Sequence, residues 1–123
     1  MEKKILIIED DSHLADIYNK KLSAEGFEVL IAKSGNMGLK MAKKTLPDLI
    51  ILDLLLPTKS GIEVLKELKA DENFKRLPVI IASNLSEKAT VDECLGLGAT
   101  DFIIKVHTNL SELVLRVKKV LKD

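Results

Sequence analysis

The side chains of greatest chemical potential in this chain are acids placed directly after apolar runs. Glu9, Asp10 and Asp11 follow Ile5-Leu6-Ile7-Ile8, and Asp53 closes Leu49-Ile50-Ile51-Leu52. Carboxylates at the exits of buried segments gather negative charge that a metal, a lysine or protonation must neutralise. Two or three of them with carbonyl oxygens make a hard oxygen site suited to Mg²⁺ or Mn²⁺, which keeps several waters and shares phosphate oxygens. A carboxylate held ionised beside such a cation can attack phosphorus as a nucleophile. Once phosphorylated it would need donors, and Ser83 and Lys105, at the ends of two further apolar runs, can supply them.

Those runs alternate with helix-period segments along the whole chain, which predicts a βαβαβαβαβα order. The strands are expected at Lys4 to Ile8, Phe27 to Ala32, Asp48 to Asp53, Leu77 to Ser83 and Thr100 to Ile104. Most are continuously apolar, as strands covered on both faces should be. The second carries Glu28 inside an alternating pattern and belongs at a sheet edge. The first helix contains Leu14, Ile17 and Leu22. Ser60 with Glu63, and Asn109 with Glu112, have the spacing that opens a helix. The last helix carries the clearest apolar stripe: Leu110, Leu113, Val114, Val117, Val120 and Leu121. Right-handed crossovers then give a parallel sheet between helices, with every strand ending at one edge. Ligands of such sheets bind beyond that edge, so topology gathers Glu9, Asp10, Asp53, Ser83 and Lys105 from distant parts of the chain.

With these stretches in order, the chain resembles a receiver domain of the two-component response regulators over essentially its whole length. The matching segments are Ile5 to Asp11, Pro47 to Pro57, Gly61, Pro78 to Ser83 and Gly98 to Lys105. The resemblance implies a flavodoxin-like (βα)5 sandwich with strand order 2-1-3-4-5. It makes Asp53 the phosphoacceptor, Asp10 a direct Mg²⁺ ligand, Glu9 an acid acting on the metal through water, and the Leu55 backbone carbonyl part of the metal shell. Ser83 becomes the switch hydroxyl, Phe102 the coupled aromatic and Lys105 the phosphate-pairing lysine. The phosphoryl donor implied is a sensor histidine kinase or a histidine phosphotransfer protein. Phosphorylation would bias the fourth helix, fifth strand and fifth helix, whose outer surface meets an unspecified protein target or a second copy in a phosphorylation-linked homodimer. Residues 1–123 then form a single receiver domain without an output domain, a phosphoacceptor that assists its own modification and is not an enzyme in the ordinary sense.

Each residue also has a plainer reading. The acidic triplet sits where a helix N-terminus favours acids, and Asp11 fits a cap. Asp53 can be a turn residue, Ser83 and Lys105 solvated loop residues, and Phe102 simple core. A phosphohydrolase with an aspartyl-phosphate intermediate would want an acid two residues after its nucleophile, where this chain has Leu55. A pseudo-receiver, binding partners without phosphate, is the other alternative; Val106 and Asn84 point towards it. Receivers usually follow the lysine with proline and the switch hydroxyl with a very small residue, whereas here Val106 and Asn84 stand in those places. Asn84 would narrow phosphate access or add a donor. Leu55 and Leu85, each two residues past a site residue, cannot orient an attacking water, so slow self-dephosphorylation is expected.

Composition narrows the classes further. With 46% hydrophobic and 31% charged residues in 123, the chain suits one globular domain. Nineteen basic residues balance 19 acidic ones, which gives no electrostatic case for nucleic acid or an anionic membrane. No apolar stretch approaches the roughly 18 residues of a membrane span, and a lone cysteine, Cys94, suits a reducing cytoplasm. Cys94 is expected on an apolar helix face with Val91 and Leu95, His13 and His107 at the surface, and Lys40, Lys43 and Lys44 on a solvated face. Gly96-Leu97-Gly98 reads as a helix ending, since it follows a helix and does not open one.

Overall fold

In a computed structural model, residues 2–122 are described. The elements follow in the order β1 (Lys4–Ile8), α1 (Ser12–Ala24), β2 (Glu28–Ala32), α2 (Gly35–Thr45), β3 (Leu49–Leu52), α3 (Gly61–Ala70), β4 (Val79–Ser83), α4 (Lys88–Gly96), β5 (Asp101–Ile104) and α5 (Leu110–Leu121). A 3-10 turn over Lys105–His107 precedes α5. All pairings are parallel and the strands lie in the order β2-β1-β3-β4-β5, which puts the Glu28 strand at an edge as its pattern required.

Successive residues of a strand face opposite sides, and the two sides bury separate cores. Ile5, Ile7, Leu49, Ile51, Ile80, Ala82 and Ile103 meet Tyr18 and Leu22 of α1 and Leu113, Val114 and Val117 of α5. Leu6, Ile8, Ile50, Leu52, Val79 and Ile81 meet Ala42 of α2, Val64, Leu65 and Leu68 of α3, and Cys94 of α4. Strands buried on both faces have no room for polar side chains along their length, so polar chemistry is left to their ends.

Most helix starts are held by side chains. Asp11 accepts from the Leu14 amide at 3.2 Å, Ser34 from Met37 at 3.2 Å and Asn109 from Glu112 at 2.8 Å. Ser60 and Glu63 form a reciprocal capping box. Among the α-helices of the described residues, α4 alone starts without such a bond from the residue before it, Glu87. Gly98, at φ +110°, follows α4 in the left-handed region and turns the chain into β5.

Four strands begin one or two residues later than the sequence pattern predicts, and β3 stops before Asp53. Phe27 donates its amide back to Leu22 at the end of α1, and Pro78 has no N–H to give to a ladder. Leu95 departs from expectation: it is 45% exposed, while its neighbour Cys94 is fully buried. A step of one residue along a helix turns a side chain by about 100°, so a short helix touching the core through Cys94 carries Leu95 outward. His13, His107 and the three α2 lysines are exposed, as expected.

Candidate functional site

The first acid of the site is fixed by the backbone ladder running past the strand ends. Glu9 donates its amide to Ala32 at 3.0 Å, and Asp53 donates its own to Ile8 at 3.0 Å. Both side chains are buried, with 3% and 6% exposure, whereas Asp10 is open to solvent. Ligand oxygens of Glu9, Asp10 and Asp53 all lie within 4.8 Å of one another. Gly61 lets the start of α3 lie against the backbone of Asp53, because a β-carbon there would come 2.2 Å from the Asp53 carbonyl oxygen.

Lys105 reaches into this cluster from β5. Its ammonium donates to Glu9 Oε1 at 2.5 Å and lies 3.4 Å from Asp53 Oδ1. One lysine facing three acids leaves an excess of negative charge. Burial pushes the Glu9 carboxyl above its ordinary range, the Lys105 bond opposes this, and the Asp53 charge adds to it. Burial works against the Lys105 charge, but the bond to Glu9 and the charges of Asp53 and Glu9 outweigh it and hold the ammonium above its ordinary pKa. Three carboxylates against one ammonium would welcome a further cation. Hard carboxylate oxygens in that surplus fit Mg²⁺ or Mn²⁺.

Ser83 ends β4, fully buried, and stands opposite Ile104 in register, one residue before Lys105. Its hydroxyl oxygen accepts from the Leu85 amide at 3.1 Å, which leaves the hydroxyl proton to give. Phe102, opposite Ile81, packs partly buried against the core beneath α4. Leu55 is 61% exposed and Leu85 is half-buried. Asp11 acts as the cap of α1, its amide bonded to Glu9 Oε2 at 3.2 Å.

The Lys105-Val106 bond is trans, as are all peptide bonds among the described residues. The Val106 amide donates to Asn84 Oδ1 at 3.0 Å, so the two departures from the receiver pattern meet in one hydrogen bond. Tyr18 is a neighbour that sequence reading left unremarked. Burial raises its phenol pKa, Lys105 opposes the rise, and Glu9 and Asp53 add to it, so the ring of α1 lies within electrostatic reach of the site. Its only trace in the sequence is helical spacing with Ala15 and Leu22, which marks core and nothing more.

A parallel sandwich with clustered acids and one lysine at the carboxyl edge of its sheet places the chain among CheY-like α/β domains of flavodoxin-like fold. Within it, the chain belongs to the response regulator receiver domain family, whose model matches residues 5–118. It is 36% identical over 124 residues to the DNA-binding response regulator MtrA of Mycobacterium tuberculosis, covering 99% of this chain and 52% of the relative. The chain thus spans about half the length of that relative. A putative response regulator from Chloroflexus aurantiacus superposes with a TM-score of 0.93 at 31% identity, each chain fully covered. The BeF3-activated N-terminal receiver domain of Klebsiella pneumoniae RstA superposes with a TM-score of 0.90 at 25% identity, covering 98% of this chain and 100% of the other.

Proposed function

We propose that this chain is a phosphorylation-activated signalling switch that takes a phosphoryl group on Asp53 from a phosphohistidine of a sensor kinase or phosphotransfer protein. The observation that carries the reading is the convergence of Glu9, Asp10 and Asp53 with Lys105 laid against the two buried acids. Family membership supports it. Mg²⁺ or Mn²⁺, held by Glu9, Asp10, Asp53 and the Leu55 backbone carbonyl, would neutralise charge on the transferring oxygens.

An Asp53 carboxylate oxygen bonds to phosphorus as the phosphorus–nitrogen bond of the donor breaks, its electron pair staying on the imidazole. Lys105 then exchanges Glu9 for a phosphoryl oxygen, and Ser83 donates its free proton to another. Movement of Ser83 draws on Phe102 and biases the arrangement of α4, β5 and α5, whose outer surface meets the protein target. In this reading residues 1–123 act as one receiver, without turnover of an external substrate and in the cytoplasm. No helix among the described residues is long and apolar enough to cross a membrane. MtrA is a DNA-binding response regulator; this chain balances 19 basic against 19 acidic residues, and its partners in our reading are proteins.

Acetyl phosphate with Mg²⁺ tests the reading by intact mass. Wild type gains one phosphoryl group and Asp53→Asn gains none; modification that persists in the variant moves the acceptor elsewhere. The same variant, relieved of one charge in a negative cluster, should be about 1 kcal/mol more stable in metal-free buffer.

A further inference from the structure

The β4–β5 ladder ends at Ser83 and Ile104. One further link lies beyond it, from the Val106 amide to Asn84 Oδ1 at 3.0 Å. Its two partners directly follow Ser83 and Lys105, the donors from neighbouring strands that our reading sets around the phosphoryl group. We propose that Asn84 is a positioning residue for Lys105, clipping the start of the β5–α5 connection to the end of β4 so that ammonium and switch hydroxyl are presented as one unit. The proposal rests on Asp53 being the phosphoacceptor.

Little else can hold the backbone at this point. The 3-10 turn over Lys105–His107 closes through a bond from the Thr108 amide to the Lys105 carbonyl at 3.4 Å, at the long limit for such a bond. The Val106 side chain is 70% exposed and supplies no packing that could hold the turn in its place. Its amide is one of the first donors of a helical turn, which have no partner inside the turn. Asn84 satisfies it.

Lys105 is therefore held twice, at its ammonium by Glu9 and Asp53 and at its backbone by this clip. When a phosphoryl group draws the ammonium away from Glu9, the first restraint is replaced and the second persists. A side chain anchored at its backbone loses less freedom on meeting the phosphoryl oxygens, so the clip favours the bound state. Proline at position 106 would have no N–H and could not take part; the Asn84 side chain supplies here a restraint that needs a free amide.

Three measurements test this on the full chain. Hydrogen exchange at the Val106 amide is slowed in wild type and loses that protection in Asn84→Ala; an amide that exchanges alike in both removes the clip. Apparent affinity for beryllofluoride with Mg²⁺ falls about fivefold in Asn84→Ala, the cost of ordering one more side chain on binding. It is unchanged in Val106→Ala, which keeps the amide. In a Lys105→Met background Asn84→Ala has no further effect on that affinity, whereas a persisting effect means Asn84 acts by itself and overturns the positioning role. Both Asn84 and Val106 are exposed, so the variants keep the fold. Wild type that binds no beryllofluoride brings down the phosphoacceptor reading and the proposal with it. Wild type that binds while Asn84→Ala binds equally well brings down the proposal alone.

Discussion

Asp53 leads into a connection anchored by a buried leucine and a capped, well-buried helix, and Ser83 leads into one with less to hold it. After Asp53, Leu54 is buried and its carbonyl accepts from the Gly61 amide at 2.9 Å. The helix that follows, α3, opens with a capping box and buries Val64, Leu65 and Leu68. After Ser83, Asn84 and residues 86–89 are exposed, α4 starts without a side-chain cap, and among its residues only Cys94 is fully covered. The acid side of the site is thus held by more packing, while on the other side the backbone beyond Ser83 and Lys105 is held by few bonds, that between Asn84 and Val106 among them. A switch needs this asymmetry: the acceptor must stay fixed while the groups that answer it move at low cost.

The largest effect expected from breaking that contrast comes from Gly61→Ala. A β-carbon 2.2 Å from the Asp53 carbonyl cannot be absorbed by a flexible side chain, since the obstacle is backbone. Overpacking of this kind should cost about 3 kcal/mol, read from urea unfolding. A loss below about 1 kcal/mol would show the β3–α3 connection to be as pliant as the β4–α4 one.

A smaller effect sharpens the contrast through chemistry. Leu55 and Leu85 occupy equivalent places, two residues beyond Asp53 and Ser83, one in the rigid connection and one in the loose one. Neither can orient a water on phosphoaspartate. Leu55→Asn should accelerate loss of the phosphoryl group about tenfold, or about 1.4 kcal/mol of barrier, because a fixed loop can hold a water in line. Leu85→Asn should gain less, about threefold, because that position is half-buried against the core, with its amide tied to Ser83, and admits an attacking water less readily than exposed Leu55 does. Decay is followed after the phosphodonor is removed. Equal acceleration by the two substitutions, or wild-type decay within seconds that neither changes, would defeat the idea.

The same asymmetry governs what the sequence disclosed. Lys4–Ile8 is legible to the residue because an apolar run ends abruptly in acids, and the Ser60–Glu63 and Asn109–Glu112 spacings mark helix starts that the hydrogen bonds repeat. Glu9, Asp10 and Asp53 are legible as a cluster because parallel topology sends their strand ends to one edge, and Lys105 follows for the same reason. Around α4 the signals fail. Leu95 looks like core because it is apolar beside Cys94, yet a helix with so narrow a buried face leaves it outside. The bond from Val106 to Asn84 spans 22 residues and depends on a backbone turn that no local pattern encodes. Tyr18 approaches the site from a helix whose periodicity reports burial and is silent about what lies beneath.

The smallest expected effect separates the two helices directly. Glycine at an exposed helix position costs about 1 kcal/mol against a good helix former, wherever the helix lies. Lys66 in α3 and Ala89 in α4 are both exposed, so the intrinsic penalty is nearly shared. Its destination differs. α3 is bound to the core by Val64, Leu65 and Leu68 and opens only when the molecule unfolds, so Lys66→Gly should lower global stability by nearly the full amount. α4 can open alone, because little apolar surface is exposed when Cys94 leaves its place. Lys66→Gly should therefore leave exchange of α4 amides almost unchanged, whereas Ala89→Gly should speed it about fivefold. If Lys66→Gly speeds exchange of α4 amides as much as Ala89→Gly does, α4 opens only with the whole molecule. The mobile half of the switch would then have to lie in the β5–α5 connection alone.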